Sequence, residues 1–227
     1  LMTHLAHAVE QYASELLSRE AVAEILDDLR ITSPEFVRSI MSKKVSLSRL
    51  HHILGALLEE QVPVVDLKTI LETASDWDNV SVSDCVEKVR FNLRRQICEG
   101  VARTNEMGKQ VIKCVELPTA VELAIESQLL DQSQLSSAMQ EASKQLIDES
   151  LPIVVVTSTK ARRKIKVRFN EANINAVVVG RNEIVGEIQL LIVGKLCPEF
   201  QLESNQRELK TDRQRTIAYA KSLLKEV

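Results

Sequence analysis

The chain has 227 residues, enough for two modest domains that each bury a core of their own. Hydrophobic residues at 44 % and charged residues at 27 % are ordinary for a globular protein, and a net charge of −3 supplies no general attraction to nucleic acid or an anionic membrane. Aromatic residues make up only 3 %, so Leu, Ile, Val and Ala must fill the interior, a composition that favours helices.

The first hundred residues read as helices joined by short caps. Leu5, Val9, Tyr12 and Leu16 recur at spacings of four, three and four, as one apolar stripe of a helix requires. Val22, Ile25, Leu26 and Leu29 repeat the pattern. Ser33-Pro34 predicts the start of a short helix through Phe36, Val37 and Ile40. Ser46 predicts the cap of a stronger helix carrying Leu47, Leu50, Ile53, Leu54, Leu57 and Leu58. Beyond Pro63 another helix is predicted from near Asp66, with Leu67, Ile70 and Leu71 inward. A last one runs from about Ser83 through Val86, Val89, Leu93 and Ile97 to Gly100. Residues 1–107 are therefore expected to form an all-α domain.

The pattern changes after about Gly108. Gln110 to Leu117 alternates loosely and predicts a strand, followed by helices over roughly Pro118–Leu129 and Ser133–Asp148. Ile153-Val154-Val155-Val156 is a short apolar run, as expected of a strand covered on both faces. A basic helical segment, then Ala176–Val179 and Ile188–Val193, complete a small α/β domain over residues 108–196. The fold class is α+β overall. The tail, residues 197–227, is polar until Thr211 and then helix-forming. No apolar run approaches the ~18 residues of a membrane span, and no signal peptide is visible. The opening Leu1-Met2-Thr3 lies inside a helical pattern, so a soluble fragment of something longer is expected.

Residues that could carry chemistry are few. Four scattered cysteines (Cys85, Cys98, Cys114, Cys197) form no C-x-x-C pair, so reduced, mostly buried thiols are expected. His4 and His7 share a helix, and His51-His52 are adjacent, but no acidic residue completes a metal motif. No G-x-S-x-G and no glycine-rich phosphate loop occurs among the six glycines. Asp27-Asp28 and Glu59-Glu60 read as solvated helix faces. Neither catalytic residue, metal nor cofactor is expected, and the protein is not expected to be an enzyme.

Two stretches invite a binding role. Ser46 to Ser75 has the outline of a DNA-reading helix-turn-helix, yet its second helix offers Asp66, Lys68, Glu72 and Asp76, a set that phosphates would repel. Lys160, Arg162, Arg163, Lys164, Lys166 and Arg168 form a basic cluster, read either as a solvated helix face or as a contact for an acidic partner or neighbouring subunit. Within it Arg162, Arg163 and Lys166 are the candidates for partner contact.

Laid end to end, these segments resemble the cytosolic region of the export-gate family of type III secretion. THLAHAVEQYASELLSREAVAEILDDL (residues 3–29) is similar to one family signature. VSLSRLHHILGALLEEQVPVVDLKTILETAS (residues 45–75) is closer still to a second, longer one. The likeness continues through Arg94-Arg95-Gln96-Ile97-Cys98 and the α/β elements to Lys195. Ile97-Cys98 and TSTKARRKIK (residues 157–166) are more like the virulence, or injectisome, branch than the flagellar one. Val65 stands where members often carry Arg. Asn170 to Asn175 replaces a Leu-Pro-rich stretch, and the tail after Leu196 has no recognised counterpart.

The resemblance implies an inner-membrane protein whose cytosolic domains form a ring of nine subunits and receive chaperone–substrate complexes. The two domains here would be the third and fourth cytosolic subdomains, on the cytoplasmic face of the membrane. Partners implied are copies of the chain, other export-apparatus proteins and chaperone–substrate complexes, without nucleic acid or direct membrane contact. The charged face Arg49, Asp66, Lys68 and Glu72 is the candidate subunit interface.

Overall fold

The computed structural model describes residues 13–42, 45–144 and 153–196, and the chain divides into two compact units at Gly100/Val101. In the first unit a helical turn at 13–16 leads to α1 (Arg19–Thr32), α2 (Pro34–Ser42), α3 (Leu47–Glu59), α4 (Leu67–Asp76), α5 (Val82–Asn92) and α6 (Arg94–Val101). The helix starts follow from short polar side chains. Ser18, Ser46, Asp66 and Ser81 each accept a backbone N–H from the residue three further on, at 3.1 Å. Ser33 serves twice: its N–H donates to Leu29 at the end of α1, and its carbonyl accepts from Val37 at the start of α2.

Apolar residues on the inner faces make the core. Leu50, Ile53, Leu54 and Leu57 from α3 meet Ile70 and Leu71 from α4, with Val86 and Val89 from α5, all 3 % exposed or less. Each such side chain contributes about 1.5–3 kcal/mol through burial. A charged pair enters with them. Glu60, just after α3, receives Arg90 Nη1 of α5 at 3.0 Å, with the two side chains 10 % and 1 % exposed. Glu60 is thus an inward residue and not part of a solvated face; the helix ends there, and Gln61 turns the chain with φ +60°.

The single helix predicted from Ser83 to Gly100 is two helices. The chain breaks at Leu93, which is fully buried, so that Val89 behind it and Ile97 beyond it both face inward. Arg94 makes the break tolerable by donating to the Phe91 carbonyl at 2.8 Å.

The second unit begins earlier than the residue 108 that the sequence suggests. Arg103–Thr104 forms a short strand, β1, paired antiparallel with β2 (Gln110–Glu116). Asn105 organises the turn between them, its Oδ1 accepting from Met107 and Lys109, with Gly108 at φ +74°. Then follow α7 (Thr119–Glu126), α8 (Gln132–Ser143), β3 (Ile153–Thr157), α9 (Arg162–Glu171), β4 (Ala176–Gly180), a 3₁₀ turn at Arg181–Glu183, and β5 (Gln189–Lys195).

Strand β5 runs parallel to β2 along one side, while β3 joins the other side, also parallel, with β4 outside it. Val115, Leu117, Val121, Ile125, Leu135, Met139, Val155, Ile165, Phe169 and Val178 form the core between strands and helices. β5 comes so close to α8 that a Cβ on Gly194 would collide with the Ala142 carbonyl oxygen, so only glycine fits.

Removing one partner of the buried pair in the first unit leaves an uncompensated charge in the core. Arg90→Met is expected to cost about 3–5 kcal/mol in urea unfolding, with most of it recovered in the Arg90→Met/Glu60→Leu double variant.

Candidate functional site: the outer face of α4 and the basic helix α9

The segment Ser46–Ser75 folds into α3, a turn and α4, and its four candidate contact residues divide into two kinds. Arg49, half-buried on α3, donates through Nη2 to the carbonyls of Trp77 and Val80 at 2.9 and 2.8 Å. It therefore clamps the loop between α4 and α5. Asp66 caps α4, accepting from the Thr69 N–H at 3.1 Å and the Thr69 hydroxyl at 2.7 Å, and also from Gln96 at 3.2 Å. Both fasten the chain to itself while staying half-buried at the surface.

Lys68 and Glu72 are exposed on successive turns of α4. The Lys68 ammonium lies 5.9 Å from the centre of the Phe36 ring on α2, a cation–π approach that orients it. Val65, at the place where the resembled family often has Arg, is 90 % exposed just before the helix. Among the described residues, α4 thus presents Lys68, Glu72 and Asp76 outward, with Val65 exposed just before it.

The basic cluster is corrected. Arg162 is fully buried and Lys166 is 4 % exposed, so neither belongs to a partner-contact face. Lys166 Nζ donates to the Ala176 carbonyl at 2.9 Å, fastening α9 to the start of β4. Arg162 Nε lies 3.9 Å from Glu183, whose other oxygen accepts the Gly180 N–H at 2.8 Å. Glu122 of α7 works in the same way, accepting from the Thr157 hydroxyl and the Ser158 N–H, each at 2.7 Å. Arg168 reaches the Leu130 carbonyl and Glu171. Of the three candidates only Arg163 faces outward, beside Lys164, which pairs with Glu126 at 2.8 Å. Asn170 to Asn175 forms the end of α9 and its turn into β4, where Asn173 takes φ +55°.

The carboxyl ends of parallel strands are where open α/β sheets hold ligands. Here Glu116, at the end of β2, is bracketed by Arg181 at 3.3 Å and Lys195 at 3.4 Å. His51 Nε2 lies 2.9 Å from the Leu17 carbonyl, and His52 is exposed; His4 and His7 lie outside the described residues. Among the described residues no group of three or more His, Cys, Asp or Glu side chains could hold a metal ion. Cys85, Cys98 and Cys114 are buried. Burial pushes the Cys85 thiol up, with Arg49 nearby pulling the other way. Burial, helped by the charge of Glu116, pushes Cys114 up to about 11.

Solved proteins share the fold. The Chlamydia pneumoniae CdsV protein superposes with a TM-score of 0.72 at 22 % identity, over 85 % of this chain and 58 % of that one. A nonameric EPEC SctV-C does so with a TM-score of 0.66 at 22 % identity, over 84 % of this chain and 60 % of that one. In sequence, the flagellar biosynthesis protein FlhA of Helicobacter pylori is 26 % identical over 201 residues, covering 81 % of this chain and 27 % of the relative. The FHIPEP family model matches residues 1–189, and the chain belongs to the FHIPEP family. It spans about a quarter of the length of the curated relatives it matches. Among the described residues no helix is long and apolar enough to cross a membrane.

The raised Cys114 value carries a sign. The folded state keeps the thiol protonated, so its contribution is whole below pH 9 and is lost as pH rises from about 9 towards 11. Alkaline urea titrations are expected to show stability falling across that window, and Cys114→Ala should flatten the fall.

Proposed function

We propose that this chain is part of the cytosolic portion of an export gate in a type III secretion apparatus, acting by assembly and binding and not by catalysis. The observation that carries the reading is the FHIPEP match over residues 1–189, joined to a fold shared with a protein solved as a nonamer. In this reading copies of the chain meet head to tail, a heterologous contact that closes into a ring when the rotation per subunit divides a full turn. The ring would stand at the cytoplasmic face of the inner membrane, bind other export-apparatus proteins, and receive chaperone–substrate complexes.

The outer face of α4 supplies the subunit contact, with Lys68 and Glu72 as its charged members and Val65 as its apolar one. Exposed ion pairs of this kind contribute about 0–1 kcal/mol each. Assembly by this chain alone is therefore weak, and salt weakens it further as the Debye length shrinks. The apparatus is assigned to the injectisome branch on Ile97-Cys98 and the TSTKARRKIK segment; the flagellar relatives support the alternative within the same family.

Lys68→Glu is expected to weaken self-association by up to about fivefold in sedimentation velocity, and to lower secretion in cells, with an unchanged circular-dichroism melt. Unchanged association and secretion, or a lowered melt, would refute the role of this face. Deleting the gene should abolish effector secretion while leaving swimming intact; loss of swimming with secretion retained would move the protein to the flagellar branch.

A further inference from the structure

Burial of Arg162 and Lys166 removes the basic contact face expected along α9, but a different set of cations gathers where the parallel strands end. Arg181 follows β4 and Lys195 ends β5, and both reach Glu116 at the end of β2, at 3.3 and 3.4 Å. Strand β3 lies between β2 and β4. Two strand spacings are about 10 Å, so the Arg181 side chain lies across the end of β3. Lys160 follows β3, and Arg163 stands three residues further on, at the start of α9; both are exposed. The Thr159 hydroxyl donates to Asn182 Oδ1 at 2.6 Å, which holds the loop after β3 to the loop after β4 and keeps these cations in one row.

The charges at this edge do not balance. Glu122 and Glu183 lie there too, but both are buried and turned to Thr157, Ser158 and Gly180. The Glu116 side chain is 24 % exposed, against 55 % for Arg181 and 60 % for Lys195. Lys160, Arg163, Arg181 and Lys195 thus stand outward around one half-buried carboxylate. The chain as a whole carries a net charge of −3, so this local excess of positive charge is a contrast that steers an anionic partner to the edge.

We propose that the carboxyl edge of the second unit docks an acidic segment of a protein partner, whose carboxylates take places beside Glu116. Arg181 and Lys195 already grip a carboxylate, so the chain displays the chemistry of the fit within itself. The row from the end of β5 to the end of β4 covers three strand spacings, about 14 Å, over which an extended segment sets three alternate side chains. A row of separate cations suits a series of single charges. Glu116 in its midst repels a phosphate, with nearly two charges, more than it repels a carboxylate with one.

Fluorescence anisotropy of a labelled oligoglutamate peptide, titrated with the full chain at low ionic strength, tests this. Lys160→Glu/Arg163→Glu removes two exposed contacts and should weaken binding about tenfold, with an unchanged circular-dichroism melt. Arg38→Glu/Lys109→Glu makes the same change in net charge elsewhere and should leave affinity within about twofold. Glu116→Gln removes the internal competitor and should tighten binding by up to about fivefold; this variant decides the matter should the first one melt lower. Equal weakening by the two double variants would make the attraction general and overturn the proposal, as would no binding by the unaltered chain. Tighter binding of inorganic tripolyphosphate than of the peptide overturns it too, by making phosphate the ligand.

Discussion

Six charged side chains leave water when the described residues fold: Glu60 and Arg90 in the first unit, and Glu122, Arg162, Lys166 and Glu183 in the second. Each costs several kcal/mol to desolvate, and only a partner held at the right place offsets that. The partners set the architecture. Arg90 can meet Glu60 only if α5 lies against the end of α3, and Lys166 can reach the Ala176 carbonyl only if α9 runs back over the start of β4. With Phe169 the one aromatic ring among the described core residues of the second unit, aliphatic packing supplies the cohesion while these polar contacts decide the alignment.

Spending charge inside limits what remains for recognition outside. Helix α9 carries five basic residues, yet two are buried, Lys164 is paired with Glu126, and Arg168 is turned towards Leu130 and Glu171. An acidic partner would meet chiefly Arg163. On α4 the balance is opposite: Asp66 and Arg49 are committed to caps and loops, which holds the helix rigid, and Lys68 and Glu72 stay outward on it. These two charges therefore stand on a helix whose position is fixed by its own caps and loop contacts.

Much of the fold was legible because it is local. A serine or aspartate at a helix start must satisfy N–H groups within the next turn, so Ser46 and Asp66 marked α3 and α4 without knowledge of the rest. Strands covered on both faces need apolar side chains at every position, so the Ile153–Val156 and Ala176–Val179 runs stood out. The break at Leu93 did not, since both halves continue one apolar stripe and the compensating bond from Arg94 is invisible until the chain folds. Two-residue β1 is too short to show alternation.

The sequence by itself determined the starts of α2, α3 and α4, the apolar strands, the α+β class and, through the resemblance of Val45 to Ser75, the family. Only the tertiary structure decided which charges face water. A lysine or arginine has a long apolar stem and a charged end, so its position on a helix does not say whether that end reaches solvent or a carbonyl within the fold. Arg162 and Lys166 are inside because Glu183 and the Ala176 carbonyl, distant in sequence, are brought there to receive them. Lys68 is exposed on α4, its ammonium 5.9 Å from the centre of the Phe36 ring.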